Sequence, residues 1–397
     1  MKKQTIAIIG AAGMMVAATL AQKTDREGQI HLFEKNKSLG AKVIISGGGR
    51  CNLTTGFTQR KQLEPTYTRG WSFFESSLKA FTPRSVKKRF EANVPCKIEE
   101  DMRVFPVSND GKDVVRMFEN ILSTVDIHFS EAVQSIDKTS RFTIISSTTY
   151  EVDKVILTTG NAYSHTSTGD GYDFARLGHT ITPLPSLNSF STSQTWIHAL
   201  SLSFPNARIH ATIDNTSIKK SPILLTHFGI SPLTFVVASE SAFETISPDS
   251  PFQMHLQPLA EMSYDDRLSY LLHESQTSKK ELISILASKL PKRFCEALLA
   301  ELELQSHSPI SQLSKTHRQL LADQLNGIPL SLIKRRPGDE FVTAGVDTDE
   351  VDPQTLESKI CPGLYFAGEI LNIDGVTDGY NLQMCWSTGR SVGEKIK

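Results

Sequence analysis

Cysteine is scarce. The 397-residue chain has five: Cys51, Cys96, Cys295, Cys361 and Cys385. No two are spaced as C-x-x-C, the number is odd, and the chain is too long to need covalent staples. A disulfide-built fold and a cysteine-based zinc site are therefore excluded, and a reducing cytoplasm fits best. Excess charge is missing as well. Lys and Arg total 42 against 43 Asp and Glu, a formal net charge of −1. That balance speaks against a protein whose task is to grip a polyanion, so no nucleic-acid partner is expected. No apolar run is long and unbroken enough to cross a bilayer, so no membrane association is expected. Low-complexity segments and repeats of 20–50 residues are absent too. What is present is 39% hydrophobic and 21% charged residues, ample for real cores. At roughly 100–200 residues per domain, two or three domains are expected.

Residues 2–22 admit two readings. Lys2 and Lys3, an apolar run and the small residues Ala18 to Ala21 resemble a secretory leader. The other reading is a β-α-β opening. Ile6 to Ile9 form a buried strand, Gly10-Ala11-Ala12-Gly13 a tight turn, and Met14 to Lys23 a helix. A second strand, Ile30 to Phe33, then ends at Glu34. Spacing decides for the second. Glu34 follows Gly13 by about twenty residues, where dinucleotide-binding folds set an acid against the adenosine ribose. The turn departs from G-x-G-x-x-G. Either Ile8 stands in place of the first glycine, or the turn is two residues short. In both cases backbone N–H groups at a helix start remain available to a pyrophosphate.

Further along, Ser46-Gly47-Gly48-Gly49-Arg50-Cys51-Asn52 is too specific for an ordinary loop. Helices are expected at Pro83–Glu91 and 112–123. Strands are expected at 127–129, 132–136, 142–146 and 154–158, the last running into Thr159-Gly160. A glycine cluster at Ser167–Tyr172 opens a helix to about Leu177. Composition shifts at Pro183 and Pro185 toward Ser, Thr, Phe and Pro, with strands at 223–228 and 233–238. Residues 264–326 carry leucines at helical spacing, with Pro291 and Pro309 as helix starts. The result is an α/β protein with a discontinuous nucleotide-binding domain at 1–185 and 340–397. Between these parts lie a β domain at 186–260, a helical domain at 261–326 and a returning β strand at 327–339.

The first turn with Glu34, the segments Ser46–Thr54 and Ser167–Tyr172, Thr226-His227-Phe228-Gly229-Ile230-Ser231, and Tyr365–Gln383 resemble the aminoacetone oxidase / bile-acid-reductase-like family of FAD-binding bacterial flavoproteins, or NAD(P)/FAD-dependent oxidoreductases. The likeness covers nearly the whole chain. It implies a glutathione-reductase-type Rossmann FAD domain carrying an inserted β-barrel-like domain and a helical domain. The sequence departs from the family by lacking glycines in the first turn, after Gly160, before Ser167, between Ser231 and Pro232, and around Gly345. Asp378 also stands where the family has glycine.

The resemblance implies a set of FAD contacts. Gly10, Ala12 and Gly13 would hold the pyrophosphate and Glu34 the ribose. Lys35 raises the question of a 2′-phosphate, which Glu34 would repel. Val133 would lie by the adenine. Lys42, Ser46, Gly47, Gly48, Gly49, Arg50, Cys51 and Asn52 would line the ribityl chain and ring edge, and Thr159 and Gly160 would close the same crevice. Gly368, Glu369 and Asp374 resemble the second FAD fingerprint. Gly379, Tyr380, Asn381 and Leu382 would start the last helix, with its N–H groups toward the N1–C2=O edge. His227 and Arg50 are the candidate catalytic residues. Each has a plain alternative: Arg50 as an ion-pair partner, Cys51 as a packed thiol, His227 as part of a turn. No residue is assigned to a metal. The expected activity is hydride exchange between flavin N5 and a small organic substrate. NAD(P)H, binding transiently, or O₂ would be the other redox partner. A flavin-binding module without turnover and an RNA-modifying flavoprotein are the alternatives. Substrate and oligomeric state are not legible.

Overall fold

The computed structural model describes residues 4–10, 13–23, 28–160, 173–181, 184–204, 207–210, 212–213, 216–217, 223–234, 246–343, 345–376 and 378–396. They divide into two compact units, 1–184 with 342–397, and 185–341.

The first unit opens with β1 (Gln4–Ile9), α1 (Met14–Ala21), β2 (Gly28–Glu34) and α2 (Ala41–Ile45). Next come α3 (Pro83–Glu91), α4 (Lys112–Ile121), β3 (Asp126–Phe129), β4 (Ser135–Lys138), β5 (Phe142–Ile145), β6 (Thr149–Val152) and β7 (Lys154–Leu157). The second unit holds β8 (Leu184–Thr192), β9 (Leu202–Phe204), β10 (Arg208–His210), β11 (Ile223–Thr226), β12 (Gly229–Thr234) and β13 (Phe252–Gln257). Its helices are α5 (Tyr264–Thr277), α6 (Leu282–Ala287), α7 (Lys292–Glu301) and α8 (Lys315–Asn326), and it ends with β14 (Ile328–Thr343). The chain then returns to the first unit with β15 (Leu364–Phe366) and α9 (Tyr380–Lys395).

The first unit is built on a parallel sheet of order β15-β7-β1-β2-β3. β1 is a continuous apolar run because both faces of a central parallel strand are covered; Ile6, Ala7 and Ile8 are fully buried. β15, from the far end of the sequence, pairs with β7. α9 packs along α1, where Gly389 and Gly393 let the two backbones approach. A smaller antiparallel sheet, β4-β5-β6, lies in the same unit, which also holds the helix Trp71–Ala80 and a three-stranded sheet formed by Thr54–Thr55, Arg103–Pro106 and Cys96–Ile98. β4 begins at Ser135, so the strand expected at 132–136 is shorter at its start. Its pairing begins only where Gln134 N–H reaches the Ile145 carbonyl.

In the second unit a seven-stranded sheet has the order β9-β11-β12-β8-β14-β13-β10. Its apolar face shares one core with the helices. Phe190, Leu225 and Met254 pack in the same cluster as Leu286, Phe294 and Leu298. Ser263 caps α5 with a reciprocal capping box to Asp266. The glycine cluster at 167–172 lies outside the described residues; after it, Phe174–Arg176 form a short 3₁₀ turn.

Candidate functional site

Strand register brings the candidate residues to one edge. Ile9 is level with Phe33 on one side and Leu157 on the other, and Leu157 is level with Phe366. The next residues of each chain, Gly10, Glu34, Thr158 and Ala367, therefore leave the sheet together at its carboxyl edge. Open α/β sheets place their ligands at this edge.

Gly10 ends β1 with φ +97°, and Gly13 begins α1. Ile8 is fully buried inside β1, so the first turn is the short form, with only two residues between its glycines. The Gly10 N–H donates to the Phe33 carbonyl at 3.0 Å. A Cβ on Gly10 would lie 2.8 Å from the Thr158 carbonyl oxygen, and one on Gly13 would lie 2.2 Å from Ile8 Cγ2. Both glycines thus serve close packing as well as the turn. Thr158 Oγ1 braces the turn by donating to the Gly10 carbonyl at 2.7 Å, a contact without a sequence signal. Ala12 lies outside the described residues.

Glu34 is buried at the end of β2. Its Oε1 accepts from the Asn36 backbone N–H at 2.8 Å and from Asn36 Nδ2 at 2.7 Å, so the carboxylate is oriented by the turn after the strand. Lys35 beside it is half-buried. Lys42 Nζ, on α2, lies 3.4 Å from Glu369 Oε2 beyond β15. Gly160 sits against this pair: a Cβ there would be 3.0 Å from Lys42 Nζ and 4.0 Å from Glu369 Oε2. Gly368 has φ +80°, and its N–H donates to Thr388 Oγ1 of α9 at 3.0 Å. Thr159 is half-buried next to Gly160.

The glycine loop comes after α2. Gly47, Gly48 and Gly49 all have left-handed backbones, at φ +58°, +72° and +89°. Nothing lies within 4 Å of a Cβ built on Gly48 or Gly49, so the loop borders open space and its conformation rather than crowding demands glycine. Ser46 turns the loop back, its Oγ donating to the Val43 carbonyl and its own carbonyl accepting from the Cys51 N–H at 2.9 Å. Asn52 then joins the two ends of the chain. Its amide oxygen accepts from the Gly379 N–H at 3.0 Å, and its nitrogen donates to the Thr54 carbonyl at 3.2 Å. Trp386 Nε1 of α9 adds a bond to the Leu53 carbonyl at 2.9 Å.

Gly379, at φ +92°, starts α9 with no side-chain cap. The N–H groups of Tyr380, Asn381 and Leu382 belong to the first turn, which has no partners within the helix. Asn381 clamps Gly375 in both directions at 2.9 Å. The Tyr380 carbonyl accepts from Tyr67 Oη at 2.9 Å. Asp374 is buried in a short bridge with Arg69. Asp378 has φ +84°, the backbone of a glycine position.

Other candidates have mainly packing surroundings. Arg50 pairs with Glu99, donates to Asn109 Oδ1 at 3.1 Å and stacks on Phe105 at 3.8 Å. It anchors the glycine loop, and its partners carried no signal in the sequence. Cys51 is fully buried, and burial pushes its thiol up to about 12, so it is no thiolate at neutral pH. Val133 packs on the core outside any strand. His227 lies in the second unit, in the turn between β11 and β12, edge-on to Phe228 at 4.9 Å.

The residues present fit FAD. An acid ends β2, an open left-handed glycine loop succeeds α2, Gly160 leaves room beside Lys42 and Glu369, and an uncapped helix start lies next to that loop. The fold is that of a Rossmann protein of the FAD-binding oxidoreductase class. The chain matches the HI0933-like protein Rossmann domain over residues 4–395, and it belongs to that family. It is 25% identical to the 3-dehydro-bile acid delta(4,6)-reductase of Clostridium scindens, over 97% of this chain and 96% of that protein. It is also 25% identical to the ribosomal RNA dihydrouridine synthase of Escherichia coli, over 98% and 96%. Among solved structures, 3-ketosteroid delta1-dehydrogenase from Sterolibacterium denitrificans superposes with a TM-score of 0.44 at 11% identity, covering 98% of this chain and 99% of that one. Among the described residues, no helix is long and apolar enough to cross a membrane.

Proposed function

We propose that this protein is a cytoplasmic FAD-dependent oxidoreductase that exchanges a hydride between flavin N5 and a small organic substrate, with NAD(P)H or O₂ as the other redox partner. The observation that carries the reading is the Asn52–Gly379 link, which sets the open glycine loop beside the uncapped start of α9. Bound FAD supplies the hydride chemistry. The chain's residues bind and polarise. Glu34, held by Asn36, takes the ribose hydroxyls. The N–H groups of the first turn of α1 would take the pyrophosphate, while the Gly13 N–H closes the turn on the Gly10 carbonyl at 3.0 Å. The N–H groups of residues 380–382 would hold the ring edge, and as fixed donors they would stabilise negative charge on it without reorganising. Lys42 adds a positive charge that Glu369 holds in place. His227 is the proposed proton donor to the substrate.

The bile-acid reductase relative supports a 3-oxo steroid as the first substrate to test. Purified protein is titrated with FAD, and the loaded protein is mixed anaerobically with NADH, NADPH, amino ketones and 3-oxo steroids while the flavin bands are monitored. Uptake of FAD and bleaching by a nicotinamide, reversed by one substrate class, is the expected result. A colourless protein that takes up no FAD sinks the reading, and a yellow one that nothing reduces leaves a module without turnover. His227→Ala is expected to keep the flavin spectrum and slow reoxidation by substrate; unchanged turnover makes the histidine structural.

A second reading, reduction of a base in RNA, has the dihydrouridine synthase relative in its favour. The near-zero net charge weighs against it. RNA that co-purifies and is released steeply by salt would favour it.

A further inference from the structure

The outer edge of the parallel sheet carries a second cluster, on the β2–β3 pair just before Glu34. In the β2–β3 register His31 is level with Asp126, and Phe33 is level with His128. Alternate residues of a strand share a face, so His31, Phe33, Asp126 and His128 all project to one side. Three of them converge. His31 Nδ1 is 2.9 Å from His128 Nε2 and 3.2 Å from Asp126 Oδ2, and His128 Nε2 is 3.5 Å from that same oxygen.

We propose that His31 Nδ1, Asp126 Oδ2 and His128 Nε2 bind one divalent transition-metal ion of the zinc class, which fastens edge strand β3 to β2. The triangle of donor atoms has sides of 2.9, 3.2 and 3.5 Å. A tetrahedral ion with bonds of about 2.0–2.2 Å requires ligand–ligand distances of roughly 3.3–3.6 Å, so two of the three sides need a shift of only a few tenths of an ångström or less. Two imidazoles and one carboxylate suit zinc, cobalt or nickel, whereas calcium and magnesium take oxygen sets.

The surroundings are those of a built site. His128 turns its other nitrogen, Nδ1, to Glu131 Oε2 at 3.4 Å. That carboxylate is itself held on Oε1 by Ser146 Oγ at 2.6 Å, Ser147 Oγ at 2.9 Å and Tyr150 Oη at 3.2 Å. Tyr150 Oη also lies 3.4 Å from His128 Nδ1, so the nitrogen away from the centre has a carboxylate and a hydroxyl beside it, the outer-shell pattern of metal-bound histidines. The rings are locked in place. Phe33 stacks on His128 at 4.7 Å, and Tyr150 of β6 closes on Phe33 edge-on at 5.0 Å.

Asp126 is the way in. Its side chain is 48% exposed, and with Gln29 and Thr124 it borders a solvent-open cleft. Three protein ligands with an exposed side leave one position for water. The ligands come from strands far apart in sequence, with His31 and His128 separated by 97 residues, so no spacing motif announces them.

The test uses the full-length protein after dialysis against a chelator. Co²⁺ is titrated in, and the visible difference spectrum is read against the metal-free sample. The expected result is one Co²⁺ per chain with intense tetrahedral bands, displaced by Zn²⁺. Asp126→Asn, at a half-exposed side chain, is expected to weaken Co²⁺ at least tenfold. Glu131→Gln is expected to weaken it about 10- to 100-fold, and His128→Gln to abolish the bands. Substoichiometric uptake by the wild-type protein, or equal affinity in a folded Asp126→Asn variant, overturns the site and leaves a hydrogen-bonded His–His–Asp triad. FAD uptake is measured on the same samples. The Glu131 N–H is bonded to the Glu34 carbonyl at 3.1 Å, whereas Asp126 begins β3 three residues before the level of Glu34, so Asp126→Asn is the separating variant: Co²⁺ lost with FAD uptake intact, or the reverse, tells the two readings apart.

Discussion

Single residues in this protein show whether a motif acts through its side chain or its backbone. In the proposed site Glu34 acts through its carboxylate, which is buried and aligned by Asn36. A charge-assisted hydrogen bond to a ribose hydroxyl contributes about 1.5–3 kcal/mol. Glu34→Ala is therefore expected to weaken FAD about ten- to hundredfold while the chain stays folded, read from flavin fluorescence on dilution; an unchanged dissociation constant refutes the ribose role. Asp378 acts through its backbone. A non-glycine residue at φ +84° is strained, by about 1–2 kcal/mol for the left-handed region. Asp378→Gly is expected to raise stability by about 1 kcal/mol in urea unfolding, and a variant no more stable than the parent shows that the carboxylate's contacts offset the strain. Arg50 was legible as a charged residue beside a glycine loop. Its partners Glu99, Asn109 and Phe105 were not, because a contact between segments about fifty residues apart leaves no local pattern.

At the level of elements, the helix pair α1–α9 holds the two ends of the chain together. Gly393 is set against Thr19, where an added Cβ would lie 2.5 Å from the Thr19 Cβ. Two effects oppose each other in Gly393→Ala. Helix propensity favours alanine by about 1 kcal/mol, and overpacking costs about 1–3 kcal/mol. Thr19 cannot swing away freely, since its hydroxyl is bonded to the Met15 carbonyl at 2.7 Å. The clash is expected to win, with a net loss of about 1 kcal/mol seen as a lower urea midpoint; a gain would mean that the helices slide apart at no cost. The apolar strands and the helix over 83–91 were readable because period-2 and period-3.6 patterning and a proline start are local signals. The short strand β6 was not, since its residues alternate only weakly and its pairing depends on β5.

For the whole molecule, acid sensitivity arises from buried histidines. His179 Nε2 is 2.8 Å from Ser358 Oγ and its ring meets Phe366 edge-on at 4.9 Å. Burial holds its pKa below the ordinary 6.5. The unfolded chain takes up the proton near pH 6.5 while the folded one does not, so stability is full above that pH and falls as pH drops below it, by up to about 1.4 kcal/mol per pH unit for one proton. His31 shifts in the same direction. Urea midpoints measured above and below pH 6.5 are expected to show the decline, and His179→Asn to flatten part of it. A variant with an unaltered slope would assign the effect elsewhere.

The sequence alone determined the class of fold, since apolar strand runs, a glycine turn and an acid at the right distance are properties of neighbouring residues. It also marked the glycine loop, because three glycines in a row have a conformational meaning wherever they lie. Tertiary structure decided that the first turn is the short form, that Asn52 meets Gly379, that Arg50 anchors a loop, and that two histidines and an aspartate converge at the sheet edge. Each of these depends on strand register and on contacts between distant segments, and the energy of such contacts is not written into the local order of the residues.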